Sequence, residues 1–328
     1  MGVVRALLCV VVLIVAGEAA AQMQPGQNWP ARPVKLIVAT GPGLATDIMA
    51  RLLSEGVSRT LGQQMFVENM PGASGIVGAG AAARAPNDGY TFFFANASGL
   101  TSNMFMIKSL PYDPTRDYTP VAMVCDSGPF VVAVHPDLPV KTLAELIAYA
   151  KAQPGKLSYG HAGVGTSQHL GAELFKYMAH VDIAAVPYRG TTALMPDLLA
   201  GRITMSFANI VNVLPLAREG KLRALAITSI KRSALAPDLP TMAESGFPGF
   251  EAVPWFGLLA PSGTPKDVLD KLYGETVKTL AMPEVRKKFD ELGLEPVGNT
   301  PAEFAAVIRK ETPEWAKVIK DAGIKLGN

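Results

Sequence analysis

One arrangement occurs twice in this chain of 328 residues and narrows its fold more than any other feature. It is a short apolar strand, a glycine-rich turn and the first turn of a helix. Val34 to Ala39 runs into Thr40-Gly41-Pro42-Gly43-Leu44-Ala45-Thr46 and then a helix. Leu157 to Gly160 runs into His161-Ala162-Gly163-Val164-Gly165-Thr166-Ser167 and then a helix with Leu170, Leu174 and Met178 on one face. About 120 residues separate the two units, one domain's worth of chain. Around them, short runs rich in Val, Ile, Phe and Ala alternate with amphipathic runs of helical period, the pattern of an α/β fold.

The clearest elements carry local signals. Asp47 to Arg59 reads as a helix with Ile48, Leu52, Leu53 and Val57 on one face, and Thr91 to Ala95 as a strand. Leu143 to Ala152 reads as a helix with Thr142 as N-cap and Glu145 completing a capping box, ended by Gln153-Pro154-Gly155. Leu222 to Ile227 reads as a strand, and Lys266 to Leu280 and Pro301 to Ala322 as long helices. Gln24 to Pro33 reads as a loose leader.

The free N–H groups of a helix's first turn, with the helix dipole behind them, attract an anion, and glycine lets a ligand approach the backbone. In an α/β domain the turn after a strand's carboxyl end is the usual ligand position. Two such units present two anion-seeking helix starts to one cleft, which suits a dicarboxylate or a carboxylate with a second acceptor. A dinucleotide fold fits poorly. Gly41-Pro42-Gly43 and Glu68 imitate its start, yet Thr46 stands where the third glycine belongs, and Gln168 does so in the second unit. No G-x-S-x-G nucleophile elbow occurs, and His135, His161, His169 and His180 lack metal-ligand spacing. His169 and Glu173, one helical turn apart, read as a solvent-facing pair. We expect neither catalysis, metal nor cofactor.

Arg5 precedes an apolar run from Ala6 to Ala16, and Ala19-Ala20-Ala21 stands before Gln22, so residues 1–21 read as a secretory signal peptide cleaved near Ala21. The run is too short to span a bilayer, which takes roughly 20 residues. Cys9 has no small-residue context for a lipid anchor. Its removal leaves Cys125 as the one thiol, so the exported chain has no internal disulfide and relies on its core. The net charge of +2 and the lack of any Lys/Arg cluster argue against nucleic acid.

Several stretches together resemble the extracytoplasmic solute receptors of tripartite tricarboxylate transporters, the Bug family. They include Thr46-Asp47-Ile48 with Ala50-Arg51, Val67-Glu68-Asn69 with Pro71-Gly72, and Asp88-Gly89-Tyr90-Thr91. Leu110-Pro111-Tyr112-Asp113-Pro114, Gly163-Val164-Gly165-Thr166-Ser167 with His169-Leu170, and Val186-Pro187-Tyr188 follow. Asp197-Leu198-Leu199, Leu222-Arg223-Ala224-Leu225-Ala226 and Trp255-Phe256-Gly257-Leu258-Leu259-Ala260-Pro261 complete the order. The resemblance implies a type II periplasmic-binding-protein fold, two Rossmann-like α/β lobes joined by a two-segment hinge. Lobe 1 would hold residues 27–126 and 252–328, and lobe 2 residues 127–251, with crossing segments near Val121 to Val134 and Phe250 to Pro261. It further implies a monomer in the periplasm that captures a small organic carboxylate for the membrane subunits of a tripartite tricarboxylate-type transporter. A periplasmic sensor that presents the ligand to a receptor kinase would keep the same fold.

Carried over by position, the resemblance places Gly43, Ala45, Thr46 and Asp47 on one side of the ligand and Gly163, Gly165, Thr166 and Ser167 on the other, with Ser98 as a further contact. Departures from the family pattern at Thr40, Leu44 and His161, and Ala208 before Asn209, fall at the same site and bear on specificity. Loss of a carboxylate at Ala208 would disfavour a ligand bearing an ammonium group. Leu44 and Phe256 are expected walls for an aromatic ligand. Thr46 and Thr166 also read as N-caps, Asp47 as an acceptor for its own helix's first N–H groups that shapes the loop, and Arg189 as a solvated turn residue. His161 reads as a donor to a carboxylate, stronger when protonated.

Overall fold

The computed structural model describes residues 29–43, 45–321 and 323–324, all but the side chains of Ala45 and Ser74. The signal-peptide reading and Leu44 lie outside the described residues. The chain forms two separate sheets with helices packed on both faces of each, a mixed α/β architecture.

The first half builds β1 (Val34–Val38), α1 (Ala45–Leu61), β2 (Met65–Asn69), α2 (Ile76–Ala83), β3 (Thr91–Asn96), α3 (Ala97–Thr101), α4 (Asn103–Met106) and β4 (Tyr118–Asp126). The middle builds β5 (Phe130–Val134), α5 (Leu143–Ala152), β6 (Ser158–His161), α6 (Ser167–Ala179), β7 (Ala184–Pro187), α7 (Thr191–Leu199), β8 (Met205–Asn209), α8 (Ile210–Arg218) and β9 (Arg223–Ile227). The chain then closes with β10 (Trp255–Pro261), α9 (Lys266–Ala281), α10 (Pro283–Leu292), β11 (Glu295–Pro296) and α11 (Pro301–Asp321). The six-stranded sheet has the order β11-β4-β10-β3-β1-β2, and the five-stranded sheet the order β7-β6-β8-β5-β9.

Strand periodicity explains why each sheet is covered on both sides. Successive side chains of a strand point to opposite faces, so a strand buried on both reads as a continuous apolar run. In β1 and β3, Leu36, Val38, Phe92 and Phe94 join one core with Leu53 and Val57 of α1 and Leu272 of α9. Ile37, Phe93 and Ala95 join another with Trp255 and Phe304. The second sheet repeats the scheme, with Val132 and Phe207 facing Phe175 of α6 and Val131 and Ala208 facing Leu194 of α7. Each Val, Leu, Ile or Phe among them, fully buried, contributes about 1.5–3 kcal/mol.

Local signals set the boundaries closely. Thr142 Oγ1 accepts the Glu145 N–H at 3.1 Å, as an N-cap should, which is worth about 1 kcal/mol. Glu145 reaches back to the N–H of Lys141, one residue before the one a capping box uses.

The chain passes from the first sheet to the second between β4 and β5, and returns ahead of β10. The two passages are sewn to each other: Ser127 donates its N–H (2.8 Å) and its hydroxyl (3.1 Å) to the Pro254 carbonyl. Beside them, Thr228 Oγ1 donates to the Ala252 carbonyl and accepts the Phe130 N–H. Helix α11 is a third tie. Its Phe304 packs on the first sheet, while Ile319 and Trp315 near its end meet Leu170 of α6, and Tyr177 donates to Asp321 at 3.0 Å. Among the described residues no helix is long and apolar enough to cross a membrane.

Candidate functional site

Both glycine turns leave the middle strand of a parallel trio. β1 lies between β2 and β3, and β6 between β7 and β8, all parallel in register. Crossovers leave such a strand toward both sides, which opens a crevice at its carboxyl end.

At the first turn, Gly43 takes φ of 80°, a left-handed conformation that glycine adopts without strain. Asp47 holds the turn from below. Its Oδ2 accepts the Gly43 N–H at 2.8 Å and Arg51 Nε at 3.0 Å, and its Oδ1 accepts Asn69 Nδ2 at 2.8 Å and lies 2.9 Å from Arg51 Nη2, which donates to Asn69 Oδ1. Burial would raise the Asp47 pKa, but Arg51, the Gly43 N–H and Asn69 outweigh it and hold the carboxyl below its usual range. The expectation for Asp47 is corrected in one respect: the N–H it accepts belongs to the turn ahead of the helix, not to the helix's first turn. Asn69 also donates to the Thr40 carbonyl at 3.0 Å, while Thr40 Oγ1 is buried and meets no partner among the described residues. Helix α1 starts at Ala45, so Thr46 is its second residue and not the N-cap expected of it. Arg51 and Asn69 hold the turn without having been expected there; the i, i+4 spacing from Asp47 is the signal in the sequence for Arg51.

At the second turn Thr166 is the N-cap of α6. Its hydroxyl accepts the His169 N–H at 3.3 Å and donates to the Gly163 carbonyl at 2.8 Å. Gly165 takes φ of 80°. Three turn N–H groups are accepted by side chains: Ala162 by Gln168 Oε1 (2.7 Å), Gly163 by His161 Nδ1 (3.3 Å) and Gly165 by His169 Nδ1 (3.3 Å). The N–H groups of Val164, Ser167 and Gln168 meet no acceptor among the described residues. These are the donors the turn has to offer an anion.

Two expectations about histidine change. His161 is 1% exposed, and burial pushes its pKa down, so it is a neutral acceptor for the turn rather than a protonated donor. His169 and Glu173 do not face solvent; both are buried. Burial, with His161 adding to it, pushes His169 down to about 4. Glu173 accepts the Tyr159 hydroxyl at 2.5 Å and Lys176 Nζ at 2.7 Å.

Ser98, the second residue of α3, donates its hydroxyl to the N-cap Asn96 at 3.4 Å. Asn209 caps α8 by accepting the Val211 N–H at 3.1 Å and donates its amide to the Ser127 carbonyl, which ties it to the crossing between the sheets. Ala208 is fully buried in the core with Val131 and Leu194. Ala208 faces the core, so its lack of a carboxylate gives no ground for disfavouring an ammonium group. Arg189 is exposed.

A cavity of about 1490 Å³ lies where the two sheets meet. Ser98 from the first half and Ser167 from the second share its wall, with Leu170, Leu174, Trp255 and Trp315 supplying apolar surface. The structure does not bring Thr40, Gly43, Thr46, Asp47, His161, Gly163, Gly165, Thr166 or Asn209 onto that wall. Phe256, expected as a wall residue, instead stacks on Phe94 in the core with centroids 6.2 Å apart. Its neighbour Trp255 takes the wall position and donates its indole N–H to Glu311 at 2.9 Å. Burial, reinforced by Glu251 and Glu314 and opposed by the Trp255 bond, pushes Glu311 up to about 7. No group of three or more His, Cys, Asp or Glu able to hold a metal ion occurs among the described residues.

Comparison with known proteins gives one consistent relationship. A family model described as tripartite tricarboxylate transporter family receptor matches residues 49–324. The chain is 37% identical over 321 residues to protein BugT of Bordetella pertussis, covering 98% of each. It is similar to the solved structure of R. palustris Rpa4515 with adipate, at a TM-score of 0.79 and 37% identity over 91% of this chain and 99% of that one. It is also similar to MatC of Rhodopseudomonas palustris with bound malate, at a TM-score of 0.77 and 32% identity over 89% of this chain and 100% of that one.

Proposed function

Because the chain belongs to the tripartite tricarboxylate transporter family of receptors, we propose that it captures a small organic carboxylate between two lobes and delivers it to a membrane transporter of that tripartite type. In this reading residues 1–21 direct export to the periplasm, residues 27–126 with 252–328 form one lobe, residues 127–251 form the other, and the protein acts as a monomer without catalysing a reaction.

The observation that carries the reading is the second turn. Its helix start has uncommitted N–H groups at Ser167 and Gln168, and the Ser167 side of that turn borders a cavity shared with Ser98. A carboxylate placed there meets the positive end of α6 and several oriented donors. The first turn lies at the matching position of the other sheet, with Thr40 Oγ1 buried and free of any partner among the described residues. The solved relatives that hold adipate and malate support carboxylates as the class. Leu170, Leu174, Trp255 and Trp315 favour a ligand with an apolar body between or beyond its acidic groups.

A thermal-shift screen over adipate, malate, citrate, aromatic acids, amino acids and neutral sugars tests the proposal. A ligand that binds only the folded state raises Tm by mass action, by about 2.7 kcal/mol of stability at a hundred times Kd. At least one di- or tricarboxylate or aromatic acid should raise it. A rise with sugars alone, and none with any carboxylate, would contradict the proposal.

A further inference from the structure

We propose that His161, Gln168 and His169 are positioning residues, three buried acceptors that each hold one N–H of the turn 162–165 and thereby fix the turn whose remaining N–H groups, at Val164, Ser167 and Gln168, are left to a ligand. A glycine turn has few side chains of its own to fix it, and ordering each residue's backbone costs about 1–2 kcal/mol. Here the fixing is done from the flanks, by one residue before the turn and two in the first turn of the following helix.

The orientation of each acceptor follows from its other contacts. Gln168 Nε2 lies 2.5 Å from the Phe207 carbonyl and 3.3 Å from Ser206 Oγ on β8. A carbonyl only accepts, so the amide NH2 must face Phe207, and Oε1 is left for the Ala162 N–H. The same side chain thus ties the turn to β8. For each histidine, a ring nitrogen that accepts an N–H carries no proton, so both rings are neutral with the proton on Nε2. Protonation would set N–H against N–H and detach the turn.

The surroundings keep the rings neutral. Their centroids lie 4.4 Å apart, so charging one opposes charging the other. Tyr159 of β6 packs against both, at 5.7 and 6.4 Å. Burial outweighs the one carboxylate that favours protonating both rings, Glu173, which is itself bonded to the Tyr159 hydroxyl and to Lys176, whose own charge works against His169 protonation. A smaller cavity of about 310 Å³ borders His161, Val164, His169 and Glu173 on the side of Ala185 and Pro187. The two rings and Val164 of the turn therefore form one side of that space.

The inference rests on the carboxylate reading only for its effect on binding, so its test has two readouts. Long-range proton–nitrogen NMR on the labelled full chain at pH 7 should show both rings neutral and protonated at Nε2. Amide exchange at Gly165 should quicken at least tenfold in His169→Leu and stay near wild type in His169→Asn, whose Oδ1 takes the place of Nδ1. The pair His161→Leu and His161→Asn, read at Gly163, serves if His169→Leu does not fold. With adipate as probe, the Leu variants should raise Kd about tenfold and the Asn variants less than threefold. Rings protonated at Nδ1, or Leu and Asn variants with equal exchange, would overturn the positioning role. If adipate does not bind the wild type, the ring and exchange results decide this inference, and the carboxylate reading is decided by the thermal-shift screen over all the acids.

Discussion

An aspartate beside an anion-seeking helix start is acceptable only if its charge is directed elsewhere, and Asp47 shows how. Both its oxygens are committed to Gly43, Arg51 and Asn69, so it braces the turn while Arg51 neutralises it. Glu311 is the opposite case, a carboxyl on the wall of the large cavity with an indole N–H as its one hydrogen-bond donor among the described residues. Its pKa of about 7 lies above the ordinary value of 4.5. Between those two values the folded state binds more protons than the unfolded one, so this group's contribution falls as pH rises from 4.5 and is most unfavourable above 7. Glu311→Gln keeps an acceptor for Trp255 and removes the charge. We expect it to raise Tm by about 2–3 °C at pH 8 and by less than about 1 °C at pH 5, as scanning calorimetry at the two pH values would show.

Among the elements, β10 joins the first sheet to the crossing between the halves, and its fit against α11 is tight. A methyl group on Gly257 would overlap the ring of Phe304, which is fully buried and packs edge-on against Trp255 at 5.1 Å. Gly257→Ala should therefore cost about 1–3 kcal/mol in urea unfolding, and the double variant with Phe304→Leu should recover part of the loss, since the two sites share one clash. Elements of this kind also mark how far the sequence could be read. Helix α5 was legible to the residue because its caps, Thr142 and Gln153-Pro154-Gly155, lie in its own sequence. Both glycine turns and the N-cap Thr166 were legible for the same reason. The burial of His169 and Glu173 was not, because it depends on β6 beside them and on distant chain returning near Ile324. Phe256 and Trp255 were likewise ambiguous, since adjacent strand residues face opposite sides and only the assembled sheet decides which side meets the cavity. The end of β8 carries the same lesson: Asn209 caps a helix and ties the crossing, and Ala208 faces the core.

At the scale of the whole molecule, two sheets are joined by two crossing segments that bond to each other at Ser127 and Pro254, and α11 spans both halves. Each sheet places one glycine turn at the carboxyl end of its central parallel strand, and the cavity between them holds Ser98 on one wall and Ser167 on the other. Thr40, Gly43, Thr46, Asp47, His161, Gly163, Gly165 and Thr166 stand off that wall, so a ligand that touches both turns requires the halves to approach each other. Few crossing residues would need to change conformation, as expected of a hinge. Small-angle scattering from the full chain, with and without a saturating carboxylate chosen by its thermal shift, tests this most directly. The radius of gyration should decrease when the ligand is bound. Saturation without any decrease would contradict capture between two closing lobes.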